Sequence, residues 1–143
     1  MQDDTIKLLR ECNAGVKMGV SSLDDVMKHV QSDGLRTLLE KSKETHTRLG
    51  NATHEYLNEY HDEGKEPAVM ARVMSKMKAN VKLDDDGPDS MVADLITDGC
   101  NMGIKSLYKY LNQYPAAEPK IKKLTQEIAD AEETLVKELR DYL

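Results

Sequence analysis

Phenylalanine and tryptophan are absent from the 143 residues, and six tyrosines are the only aromatics. Leu, Ile, Val and some of the eight Met must therefore fill the core. Proline occurs four times and glycine eight times, so few turns are signalled and helix is the favoured class. The two cysteines, Cys12 and Cys100, fit no metal or redox motif, and free buried thiols are expected. No apolar run approaches the roughly 18 residues that a membrane span needs. Basic residues do not cluster: 20 Lys and Arg stand against 26 Asp and Glu, for a net charge of −6. A mixed acidic surface of this kind argues against nucleic-acid binding. The opening MQDDTIKLL has no basic stretch followed by an apolar one, so no signal peptide is expected and a cytoplasmic location follows.

What is present is helical periodicity. Ile6, Leu9, Asn13, Val16, Val20, Leu23, Met27 and Val30 recur at spacings of three and four, the seam of a bundle helix from about Asp3 to Val30. Ser32-Asp33-Gly34 makes a turn. A second helix follows, with Leu35, Leu38, Ser42, Thr45, Leu49, Ala52 and Tyr56 on its seam. Pro67 suits the first turn of a shorter helix near 67–82, with Met70, Val73, Met74, Met77 and Val81 on one face. Asp84-Asp85-Asp86-Gly87-Pro88 ends it; the run lacks the ligand pattern of a calcium loop. A further helix opens at Asp89 or Ser90 and reaches about Tyr114. The last carries Ile121, Leu124, Ile128, Ala131, Leu135, Leu139 and Tyr142. No segment alternates with the period of an amphipathic strand.

The chain also matches itself. Cys12-Asn13-Ala14-Gly15-Val16-Lys17 agrees with Cys100-Asn101-Met102-Gly103-Ile104-Lys105 at four of six positions. The helices that follow align after a short slip, which pairs His46 with Glu132. The expected architecture is all-α and a single domain: hairpin 3–63, a crossover with its short helix over 64–88, and hairpin 89–143. A long connection between hairpins marks a crossover bundle rather than four successive up-down helices. In helix lengths, repeat and crossover the chain resembles the ferritin-like superfamily. It is most similar to small uncharacterised bacterial families within it that carry a four-helix bundle with a short helix in the crossover.

The resemblance implies a di-iron carboxylate site built on Glu-x-x-His. That motif is missing: Val26, Lys43, Asn51 and Asn58 stand three residues before His29, His46, His54 and His61. Ferroxidase and oxygenase chemistry are not expected, nor any cofactor, and no catalytic motif is present. His46, Asp98 and Glu132 remain as metal candidates, with Asp94 and Asn101 on the stripe of Asp98. The seam positions place His46 and Glu132 at its edge, reaching water, and put Asn13 and Asn101 inside. His46, His54 and His61 read as a solvated face.

Gly15 and Gly19 are expected to face Gly103 and Gly99, bringing the first helices of the two hairpins close together. The function expected is a non-catalytic bundle acting as a binding or structural module, with homo-oligomer formation or a protein partner on the Met-rich short helix. The alternative is a degenerate metal-binding or iron-handling bundle.

Overall fold

The computed structural model describes residues 2–62 and 87–143. Within these residues it is all helix: α1 Gln2–Met27, α2 Asp33–Glu59, α3 Pro88–Gln113 and α4 Pro119–Leu139, with a 3₁₀ turn at Arg140–Tyr142. The short helix, its methionine face and the Asp84–Asp86 run lie outside the described residues. None of the described helices is long and apolar enough to cross a membrane.

The turns fix the topology. At one end the α1 start meets the α3–α4 turn: the Asp4 carboxylate accepts from the Ala116 amide at 3.0 Å, and the Thr5 hydroxyl accepts from the Glu118 amide at 2.9 Å. The α2 end lies here too, where Arg10 pairs with Asp62. At the other end Asp89, in the first turn of α3, accepts from the Gln31 and Ser32 amides at 2.7 and 3.0 Å. This carboxylate thus ties the α1–α2 turn to α3 rather than capping its own helix. Gly87, at φ +97°, caps α3 with no side-chain bond, a backbone setting that favours glycine.

Accordingly α1 and α4 run one way and α2 and α3 the other. α1 packs on α2 and α3, and α4 on α3 and α2. Asp62 and Gly87 stand at opposite ends, as a crossover between two hairpins requires.

Two apolar cores stack along the axis. One holds Leu8, Leu9, Cys12, Val16, Leu49, Leu57, Leu107, Ile121, Leu124 and Ile128. The other holds Leu23, Val26, Leu35, Leu39, Val92, Leu95, Ile96, Cys100, Leu135 and Leu139. The C-terminal turn closes the second core. A Cβ at Gly34 would stand 2.5 Å from the Tyr142 hydroxyl. Gly34→Ala should therefore displace Tyr142 and cost about 1 kcal/mol, read by chemical denaturation. The double change Gly34→Ala with Tyr142→Phe should recover most of that loss.

Candidate functional site

Between the two cores the four helices contribute Gly19, His46, Gly103 and Glu132. On α1, Gly19 lies between Val16 of one core and Leu23 of the other; on α2, His46 lies between Leu49 and Leu39. On α3, Gly103 separates Leu107 from Cys100, and on α4 Glu132 separates Ile128 from Leu135. The result is a polar waist at mid-bundle. In each hairpin the second helix turns a polar side chain onto a glycine of the first. A Cβ at Gly19 would lie 3.1 Å from the His46 ring, and one at Gly103 would lie 2.6 Å from a Glu132 carboxyl oxygen.

Both polar groups are inside, with His46 only 2% and Glu132 9% exposed. This corrects the expectation that they sit at the seam's edge and reach water. The α2 seam is turned by about one position from the one read in the sequence: Leu39, His46, Thr53 and Leu57 are buried, whereas Leu38, Ser42, Thr45 and Tyr56 are only partly covered. On α4, Glu132 is buried in place of half-covered Ala131. The solvated histidine face keeps His54 and His61 but loses His46.

Local bonds fix the chemistry of the waist. His46 Nδ1 donates to the Ser42 carbonyl at 2.8 Å, a bond that leaves Nε2 with its lone pair. Burial lowers the imidazole's affinity for a second proton, against a smaller opposite effect of the Ser42 bond. Glu132 Oε2 is buried without a hydrogen-bond partner. Burial pushes the carboxyl up to about 8, so it holds its proton at neutral pH.

Nearby, the Cys12 thiol lies 3.2 Å from the Thr125 hydroxyl, which itself donates to the Ile121 carbonyl at 2.8 Å. The thiol is therefore the donor. Burial holds Cys12 up at about 12 and pushes Cys100 up as well, so neither is a ready nucleophile. Both are free thiols in separate cores, as the sequence suggested.

Asn13 is buried and accepts from the Thr53 hydroxyl at 3.1 Å, but its Nδ2 has no partner. Its sequence counterpart Asn101 is exposed, which corrects the expectation that both lie inside. Packing sets the first helices of the two hairpins one turn off the cysteine-anchored match: Gly103 plays the part of Gly19, not of Gly15. Gly15 and Gly99 have open space where a Cβ would stand. The expected glycine contact between α1 and α3 does not form. Each working glycine serves its own hairpin instead.

Of the metal candidates, the structure brings His46 and Glu132 to one level and leaves Asp98 and Asp94 exposed on α3. Among the described residues, no three His, Cys, Asp or Glu side chains are grouped to hold a metal ion. His46 also borders an open groove of about 480 Å³ between α1 and α2, shared with Val16, Val20, Gly50 and His54.

No protein-family model matches the chain, and no curated protein sequence matches it. Among solved structures it is similar to a DUF305 fragment from Deinococcus radiodurans, at 12% identity and a TM-score of 0.76. The likeness covers 96% of this chain and 93% of that one. At this identity it speaks for the helical fold.

Proposed function

We propose that the chain is a non-catalytic bundle of ferritin-like architecture, built from two repeated hairpins, that works as a binding or structural module. The observation carrying this reading is the direction of the waist side chains. A di-metal centre needs carboxylates from several helices converging on one point. Here the buried carboxyl of Glu132 is turned onto Gly103 and the imidazole of His46 onto Gly19, with apolar layers above and below. Two reduced thiols in separate cores suit a reducing compartment, which favours the cytoplasm. The alternative, a degenerate metal-handling bundle, draws on the burial of His46 and Glu132 at one level.

Metal analysis of untagged protein separates the two. The module reading expects a melting temperature unchanged by chelator and no protein-dependent oxidation of ferrous iron in air. Iron at about two per chain, lost together with stability on chelation, replaces it with the alternative.

A further inference from the structure

Each of the four helices buries one ionisable side chain: Cys12, His46, Cys100 and Glu132 in chain order. These are the titratable groups that the neighbouring helices bring to the interior around Glu132. None supplies a positive charge: a thiol carries none in either form, and burial keeps the imidazole neutral. Glu132 Oε2 also lacks any donor. A carboxylate at this position would therefore stand in the core with no counter-ion among the described residues. Such a charge costs several kcal/mol unless it reaches water. The α3 backbone stands directly against the carboxyl group, which fills the space of a Cβ at Gly103. Glu132 also occupies the level at which the two apolar cores meet, so movement there loosens only the edge of the second core, at Cys100.

We propose that Glu132 is a proton-operated latch on the α3–α4 seam: protonated, it closes against Gly103, and deprotonated, it leaves the core and opens the seam beside Cys100. The proton goes to solvent and no other group changes. Burial already holds the carboxyl up at about 8, so mild alkalinity suffices. Cys100 lies one turn before Gly103 on α3 and is the natural reporter of opening. Cys12 belongs to the other core and is held by Thr125, which makes it the internal reference.

The test is the labelling rate of each thiol with iodoacetamide, followed by mass spectrometry from about pH 6 to about pH 9, in the native chain and in Glu132→Gln. Dividing one rate by the other removes the part of each thiol's titration that is independent of Glu132; the Glu132 charge raises both thiols and so works against the expected rise. For Cys100 the ratio of native to variant should stay near one at the acid end and rise about tenfold or more at the alkaline end. For Cys12 it should rise only as far as the native chain's pH-dependent loss of global stability carries it. Glu132→Met, which cannot ionise and carries no amide, should behave as Glu132→Gln does. A Cys100 ratio that does not change with pH overturns the latch. So does a Cys12 ratio that climbs as far as that of Cys100, because whole-bundle unfolding then exposes both thiols.

Discussion

Glu132→Gln should leave stability little changed near pH 5 and raise it progressively toward pH 8, by up to about 5 kcal/mol over the native chain. The sign follows from which state holds the proton. Burial raises the Glu132 carboxyl from an ordinary value of 4.5 to about 8 in the folded chain. Between those values the folded state keeps a proton that the unfolded state has released. The stability that protonated Glu132 allows is complete below the unfolded value and is lost as pH rises toward the folded one. Above about pH 8 both states are ionised and the loss levels off.

Glutamine keeps the shape and cannot ionise, so the variant does not follow this slope. Its amide still needs partners, which is why no gain is expected at the acid end. Urea titrations of both chains at pH 5, 6, 7 and 8 read the difference directly. Parallel pH profiles would mean that Glu132 ionises in the folded chain as easily as in the unfolded one, and the burial argument would then be wrong. Since small domains hold only about 5–15 kcal/mol in total, an effect of this size makes the native glutamate costly on stability grounds alone.

The helices and their order were legible because four long segments each carry apolar residues at helical spacing. Their ends are marked by Ser32-Asp33-Gly34 and by Pro88 and Pro119. The polar waist was not legible, for a reason visible in α2. Leu38 and Leu39 are adjacent, and either could begin a seam at spacings of three and four. Choosing Leu38 sends the stripe through Ser42 and Thr45 and leaves His46 at the side. The bundle chooses Leu39, and His46 and Thr53 come inside with it. A preference for apolar residues could not decide this, because the buried stripe contains a histidine and a threonine. Likewise Ala131 looks a better core residue than Glu132. Only the packing shows that α3 presents a glycine opposite Glu132, where the carboxyl group takes the space of a Cβ. The cysteine-anchored repeat was legible as sequence, but helix faces are set by packing register, and a slip of one turn preserves every face. That slip is how Gly15 came to be matched with Gly103 while Gly19 does the equivalent work.

The glycines then separate into two groups with opposite expected outcomes. Gly15→Ala and Gly99→Ala place a methyl where nothing lies within 4 Å. Each should stabilise by about 0.5–1 kcal/mol, because alanine loses less backbone freedom than glycine in mid-helix. Gly103→Ala places a Cβ 2.6 and 2.9 Å from the two Glu132 oxygens and 3.1 Å from their carbon. The side chain is flexible but enclosed, so moving it disturbs the waist. Overpacking of about 1–3 kcal/mol should outweigh the helical gain, and Gly103→Leu should cost about 3 kcal/mol or more. Gly19→Ala falls between, since its Cβ would press on a ring anchored by the Ser42 carbonyl at 2.8 Å.

A double-mutant cycle ties the effect to the named contact. In a Glu132→Ala background the carboxyl is gone, and Gly103→Ala should turn neutral or mildly stabilising. That implies a coupling of about 2 kcal/mol between the two positions. Thermal and urea unfolding of the four chains measure it. If Gly103→Ala costs the same in both backgrounds, α3 meets something other than Glu132 at the waist. If Gly15→Leu proves as damaging as Gly103→Leu, the two glycines do face each other across α1 and α3, and the packing register described for the hairpins is wrong by one turn.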